Sequence, residues 1–88
     1  MRLEYDPIGD IAYIYVSEDI AATVHHTDRI GESAEYQRGI DYAADGSVFG
    51  YEFMNASHGL NLDGLPHQDE IAAFILRVAG LRVLSTAS

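Results

Sequence analysis

The chain has 88 residues, of which 14 are acidic and 5 are basic, all of them arginine, so its formal net charge is −9. This balance leaves no basic surface for phosphates and repels anionic headgroups, which argues against direct nucleic-acid binding and electrostatic membrane attachment. Hydrophobic residues make up 48 % of the chain, which is typical of a globular protein rather than a disordered one.

The N-terminal part of the sequence predicts a hairpin of two strands. Residues 3–5 form a short first strand, and residues 11–17 are rich in β-branched and aromatic side chains. Between them, Pro7 and Gly9 are flanked by aspartates, which is typical of a turn. Both faces of the second strand are largely apolar, so we expect it inside a sheet; its alternating sets are Ile11, Tyr13 and Tyr15 against Ala12, Ile14 and Val16.

A second hairpin is predicted farther along the chain. A weaker strand over residues 23–30 precedes a loop, and residues 36–43 resume the strand pattern. An Asp-Gly pair at residues 45–46 favours a tight turn because both residue types tolerate positive φ. The returning strand, residues 48–54, alternates between Phe49, Tyr51 and Phe53 on one face and Gly50 and Glu52 on the other. Two hairpins and a linking strand predict an antiparallel sheet of four to five strands.

Helical spacing replaces the period of two after residue 59. Pro66 is suited to a first helical turn, and Asp69 and Glu70 place negative charge where the helix dipole favours it. Gly80 is suited to the C-terminal cap. The fold class is therefore α+β, with one C-terminal helix packed on the sheet. Its first apolar stripe is Ile71, Phe74, Ile75 and Val78, and beside it lies a second one, Ala72, Leu76, Ala79 and Val83.

The second stripe leaves two interpretations open. The helix either sinks deeply into a small core or also packs on a second subunit through Ala72, Leu76, Ala79 and Val83. A short chain buries a smaller fraction of its surface than a large domain does, and without cysteine it has no disulfide or thiolate zinc site to stabilise it. We therefore predict one domain over residues 1–88 that forms a homodimer. Three alternatives stay open for residues 81–85, which continue the helix, form a short edge strand or cross to the partner.

Histidines and acidic residues are the candidates for site chemistry. The four histidines are His25, His26, His58 and His67. Adjacent residues of a strand point to opposite faces, and no spacing among the histidines matches a zinc pattern, so we expect no metal and no cofactor. Residues 55–59 do not form a Gly-x-Ser-x-Gly nucleophile turn. Glu52 interrupts an aromatic-rich strand; a covered face would make it a candidate acid or base, whereas an outward face would make it an ordinary polar residue.

The six tyrosines are also candidates for function, and they are Tyr5, Tyr13, Tyr15, Tyr36, Tyr42 and Tyr51. A tyrosine combines an apolar ring with a hydroxyl that needs a partner, so the residue suits half-exposed surfaces. On the strands of a sheet the tyrosines form either a binding face or subunit interface, or the rim of a small core.

Two segments of the chain carry a family pattern. Tyr5-Asp6-Pro7 followed by Asp10-Ile11-Ala12-Tyr13-Ile14, together with residues 45–57, resembles a small bacterial family catalogued as domain of unknown function 2283. That family has a Tyr-Asp turn and an Asp-Ala-Leu-Tyr-Ile strand, then an Asp-Gly turn, a Gly-Ile-Glu-Ile-Leu strand and a terminal Ala-Ser. The resemblance covers about residues 2–57. The resemblance implies a small antiparallel-sheet protein without an established enzymatic activity. Some members are encoded near small toxin-like proteins, so it also implies an antitoxin or partner-binding role as one interpretation.

Two hypotheses of function follow, and neither assigns a catalytic residue. The first is a non-enzymatic, homodimeric interaction protein of the cytosol that binds a basic protein partner, because net negative charge accelerates encounter with a cationic surface. The alternative is a small hydrolase or ligand-binding protein with a site near Glu52, His58, Tyr13 and Tyr51. In a third interpretation, the acidic residues only keep the surface soluble and have no cationic partner. A cytosolic location is expected because the N-terminus has no basic region followed by an apolar run.

Overall fold

A five-stranded antiparallel sheet forms the centre of the protein. The computed structural model describes residues 1–17, 23–31, 37–78 and 83–84. The sheet has the spatial order β1-β2-β5-β4-β3, and its strands are β1 (Arg2–Asp6), β2 (Ile11–Tyr15), β3 (His26–Ile30), β4 (Arg38–Tyr42) and β5 (Val48–Met54). Hairpins connect β1 to β2 and β4 to β5. The predicted α+β class, both hairpins and the interior position of β2 are therefore confirmed.

The turn between β4 and β5 shows why its sequence favours a hairpin. Gly46 has a φ of 88°, a conformation that glycine adopts without steric cost. The Asp45 carboxylate accepts hydrogen bonds from the backbone N–H of Ser47 at 2.9 Å and from its hydroxyl at 2.6 Å. Local side-chain acceptors of this kind stabilise turns, so the Asp-Gly-Ser segment holds the hairpin closed.

A β-bulge interrupts the pairing of β4 with β5. Asp41 pairs with Gly50, whereas Tyr42 pairs with Val48, so Phe49 is an extra residue on β5. The ring of Phe49 packs edge-on against Tyr15, with 6.0 Å between the ring centroids. The prediction that Phe49 shares a face with Tyr51 and Phe53 is therefore wrong, because the bulge breaks the period of two.

One face of the sheet and one helix enclose the hydrophobic core. Helix α1 (Gln68–Val78) carries both predicted acids in its first turn. The helix begins at Gln68 rather than at Pro66, because His67 adopts a left-handed φ of 62°. The buried residues of the core are Ala12, Ile14, Ile40, Tyr51 and Phe53 from the sheet, Ile71, Phe74 and Ile75 from the helix, and Ala56, Leu60, Leu62 and Leu65 from the connection between them.

Two short strands lie outside the main sheet. A 3-10 turn (Ala56–His58) follows β5, and then β6 (Leu60–Asn61) pairs in parallel with β7 (Val83–Leu84). Of the three alternatives for the segment after the helix, the strand is therefore the one found at Val83–Leu84. Gly80, the predicted cap, lies outside the described residues. Within the described part of the chain no helix is long and apolar enough to span a membrane.

Candidate functional site

The sheet face opposite the helix is the candidate functional surface, and we call it the open face. None of its described side chains belongs to the hydrophobic core cluster, which lies on the opposite face of the sheet. The strand register places on this face Arg2 and Glu4 of β1, Tyr13 and Tyr15 of β2, Gly50 and Glu52 of β5, Gly39 and Asp41 of β4, and Thr27 and Arg29 of β3. The open face thus carries polar and aromatic side chains on strands across the whole width of the five-stranded sheet.

Asp41 is the central acceptor of the open face. It accepts a hydrogen bond from the Tyr13 hydroxyl at 2.6 Å and a second one from the Thr27 hydroxyl. Burial raises the pKa of Tyr13 above its ordinary value, and the Asp41 carboxylate raises it further. The Tyr13 hydroxyl therefore stays protonated at neutral pH and acts as a donor, so it does not provide a base.

Gly50 makes room for Tyr13 on the neighbouring strand. A Cβ at Gly50 would lie 2.5 Å from Cε1 of Tyr13 and 2.8 Å from the carbonyl oxygen of Ile14. These distances are too short for any side chain, so the tyrosine ring lies directly over the backbone of β5. This close approach is what lets the hydroxyl reach Asp41 on β4.

Arg29 and Glu52 form an ion pair on the open face. Nη1 of Arg29 lies 2.5 Å from Oε1 of Glu52, and the two side chains are 52 % and 29 % exposed. The hydrogen bond and charge of Glu52 raise the pKa of Arg29. A Cβ at Gly39 would lie 3.1 Å from Nη1 of Arg29, so the guanidinium rests over the glycine backbone. Gly39 therefore leaves room for the planar guanidinium of Arg29, as Gly50 leaves room for the ring of Tyr13.

Arg2 occupies a similar position at the β1 edge. Its Cζ atom lies 4.0 Å from the centroid of the Tyr15 ring, a cation–π geometry. Its Nη1 atom lies 2.7 Å from Oε1 of Glu4. The Tyr15 hydroxyl donates to the other oxygen of the same carboxylate at 3.3 Å. An aromatic ring and a carboxylate together hold this guanidinium.

Asp10 connects the two segments that carry the family pattern. Its carboxylate accepts hydrogen bonds from the Tyr5 hydroxyl at 2.7 Å, the Ser57 backbone N–H at 2.8 Å and the Ser57 hydroxyl at 2.6 Å. Its carbonyl oxygen accepts from the Ala56 N–H at 2.9 Å. The bonds from Ser57, then that from Tyr5, lower the pKa of Asp10. Because the Ser57 hydroxyl donates to a carboxylate, this cluster is a structural clamp at the end of the sheet.

The structure divides the four predicted ligand-binding residues among different surfaces. Tyr13 and Glu52 are direct cross-strand partners on the open face. Tyr51 lies on the core face, where its hydroxyl donates to the Pro66 carbonyl oxygen at 2.8 Å. Burial raises the pKa of Tyr51 to about 12. His58 lies in the 3-10 turn, where its charge acts on Asp10. Only Tyr13 and Glu52 are thus brought together.

The predicted interface residues lie partly within the described chain. Ala72 is half-buried and packs against the core, whereas the Leu76 side chain is 83 % exposed. Ala79 lies outside the described residues, and Val83 belongs to β7. The homodimer itself stays a prediction.

Arg38 is a buried cation that the sequence analysis did not identify. It is 7 % exposed, and its Nη1 atom donates to the carbonyl oxygens of Asn61, at 3.1 Å, and of Asp63. Burial lowers its pKa. The alternation of β4 places Arg38 on the same face as Ile40, which is a signal for burial, but its carbonyl partners depend on tertiary structure. Arg38 therefore fixes the segment before the helix to the sheet.

The expectation that His25 and His26 point to opposite faces of a strand is wrong, because β3 begins at His26 and the Nδ1 atoms of the two rings lie 3.1 Å apart. The described side chains also include His58, His67 and several carboxylates. Among them, no group of three or more histidine, cysteine, aspartate or glutamate residues is arranged to hold an ion. This observation applies to residues 1–17, 23–31, 37–78 and 83–84 alone.

Comparison with known proteins identifies the family to which the sheet belongs. A family model described as Protein of unknown function (DUF2283) matches residues 2–57, which include all five strands of the sheet and the Asp10 cluster. The match covers more than half of the chain, so the chain belongs to this family. No curated protein and no solved structure matches the chain.

Proposed function

We propose that this chain is a non-enzymatic interaction protein of the cytosol that binds a basic protein partner across the open face. The observation that carries the proposal is the composition of that face, where tyrosine rings and paired charges lie together outside the hydrophobic core. Tyrosine and arginine are enriched at protein interfaces, where they combine contact area with directed hydrogen bonds. A small toxin would be one such partner, which makes an antitoxin-like role one form of the proposal.

The engagement of its ionisable groups argues that the open face binds rather than catalyses. Asp41 accepts from Tyr13 and Thr27, and Glu52 is paired with Arg29. A catalytic base or nucleophile must be able to reach a substrate proton or carbonyl, whereas both carboxylates already accept from donors of the sheet, so a binding partner would have to offer donors of the same kind. The alternative of a hydrolase or ligand-binding site would have to operate with Tyr13 and Glu52, the two predicted residues that share a surface.

Charge supports a cationic partner. The chain has a formal net charge of −9, and Glu4, Asp41 and Glu52 on the open face outnumber Arg2 and Arg29. Complementary charge mainly accelerates encounter and is screened by salt, so the association should weaken as ionic strength rises.

Affinity purification from the native host tests this proposal. We expect a basic protein to copurify in roughly equal amount at low salt and to dissociate at high salt. The variant Glu52→Lys should lose this partner, because it reverses a charge on the open face. Glu70→Lys makes the same charge change on the exposed first turn of α1 and should retain it. Equal recovery with both variants, or recovery of the protein alone at both salt concentrations, would contradict the proposal.

A further inference from the structure

The open face holds two guanidinium groups of its own chain. Arg2 lies over the Tyr15 ring at 4.0 Å and pairs with Glu4 at 2.7 Å. Arg29 pairs with Glu52 at 2.5 Å and rests over the bare backbone at Gly39. In both positions a carboxylate lies beside a flat surface, an aromatic ring in one and a glycine peptide in the other. A carboxylate and a flat surface therefore occur together twice on the open face, once on strands β1 and β2 and once on strands β3, β4 and β5.

This arrangement suits a guanidinium better than an ammonium group. A guanidinium is planar, stacks on rings and carries donors in a rigid fork, whereas an ammonium is a compact and strongly hydrated point charge. Gly39 matters here because a Cβ would lie only 3.1 Å from the Arg29 nitrogen. The positions therefore select for shape as well as for charge.

Exposure makes these internal contacts replaceable. The side chains of Arg2 and Glu4 are 64 % and 56 % exposed, and those of Arg29 and Glu52 are 52 % and 29 % exposed. Ion pairs with this exposure contribute little net stability because solvent screens them and long side chains lose entropy on pairing. An incoming guanidinium that displaces either arginine can thus gain the carboxylate at low cost.

We propose that the open face recognises an extended arginine-bearing segment of its partner, and that Arg2 and Arg29 occupy two of its guanidinium positions until the partner displaces them. The inference rests on the proposed function and names the chemistry of the partner. An extended segment directs alternate side chains to one face, as the strands of the sheet do. Its arginines would contact Glu4 and Glu52, and the surplus carboxylate of Asp41 would favour cationic neighbours.

Fluorescence anisotropy with two labelled synthetic peptides tests the inference. In one peptide arginine alternates with serine, and in the other lysine replaces arginine. We expect the arginine peptide to bind more tightly. Arg29→Ala should increase affinity for the arginine peptide by about two- to fivefold relative to Arg77→Ala, because the internal competitor is removed. Arg77 lies on the exposed side of the helix, so its substitution makes the same change in net charge away from the open face.

Three results would overturn the inference. They are equal affinities for the two peptides, equal effects of Arg29→Ala and Arg77→Ala, and no binding of either peptide by the unsubstituted protein. If circular dichroism shows that Arg29→Ala does not fold, Arg2→Ala carries the same test at the β1 edge. A basic partner that is captured and then lost with Glu52→Lys would still support the proposed function, so the two can fail separately.

Discussion

At the scale of single residues, Asp10 joins the parts of the chain that define the family. Its partner Ser57 is 47 positions away, and both Ser57 donors and the Tyr5 hydroxyl converge on one carboxylate. Asp10 also has a left-handed φ of 54°, a conformation that aspartate and asparagine tolerate better than other non-glycine residues. Side-chain chemistry and backbone conformation thus agree at this position.

Asp10→Asn should lower the free energy of unfolding at neutral pH, because an amide keeps the backbone conformation but cannot accept from all three donors. The pKa of Asp10 is lower in the folded state, so its carboxylate contributes stability that is fully present above the pKa it has in the unfolded chain. This stability is lost as pH falls through the lower folded pKa. The stability difference between the variant and the unsubstituted protein should therefore narrow below about pH 4. Urea unfolding followed by circular dichroism measures it.

Asp45→Asn is the matched control for this prediction. The pKa of Asp45 is also lowered, but by Ser47 within one turn. Its loss should cost less at neutral pH because it joins no distant segments. A difference for Asp10→Asn that is the same at neutral and acidic pH would contradict the role of its charge.

At the scale of elements, the contact between β2 and β5 determines the shape of the open face. Tyr13 of β2 crosses over Gly50 of β5 to reach Asp41 of β4. The strands β2 and β5 must therefore approach each other without a side chain at Gly50, because only then does the Tyr13 hydroxyl reach Asp41 on β4. The polar network is a property of the sheet and not of any one strand.

Gly50→Ala should destabilise the protein by about 1–3 kcal/mol, because the new Cβ would clash with both the Tyr13 ring and the backbone of Ile14. Gly39→Ala is the control. Its Cβ would meet the flexible end of Arg29 at 3.1 Å, which can move, so stability should stay within about 0.5 kcal/mol. Chemical denaturation of both variants measures the difference, and equal costs would show that the Tyr13 position does not depend on Gly50.

The elements that the sequence predicts are those with a repeating local pattern. Alternation along β2 and helical spacing along α1 depend on near neighbours, so both elements were predictable. The bulge at Phe49 depends on the register between β4 and β5, and the pairing of β6 with β7 involves strands of two residues each, too short for a pattern. Candidate residues follow the same rule: alternation already separates Tyr51 from Glu52, but the partners of Arg29 and Arg38 require the tertiary structure.

At the scale of the whole molecule, exposed apolar side chains are the candidates for contact with a second copy in the predicted homodimer. Leu76 is 83 % exposed on the helix, and Ile8 is 97 % exposed at the tip of the β1–β2 turn. We propose the helix as the dimer surface, since Leu76 lies beside the half-buried Ala72 of the same predicted stripe.

Leu76→Ser should weaken the dimer by at least about tenfold, because burying a leucine side chain contributes about 1.5–3 kcal/mol. Ile8→Ser removes a similar side chain away from the helix and should leave association unchanged. Sedimentation at micromolar concentrations measures both. A monomeric unsubstituted protein, or equal effects of the two substitutions, would contradict a dimer through the helix.

The family match ends at residue 57, whereas most of the described side chains that cover the core face of the sheet lie between Leu60 and Ile75. The matched residues thus supply the apolar face of the sheet, and the residues after 57 supply most of the side chains that shield Ile14, Tyr51 and Phe53 from water. The tyrosine and arginine surface on the other side of the sheet lies wholly within the matched residues, so the open face belongs to the part of the chain that defines the family.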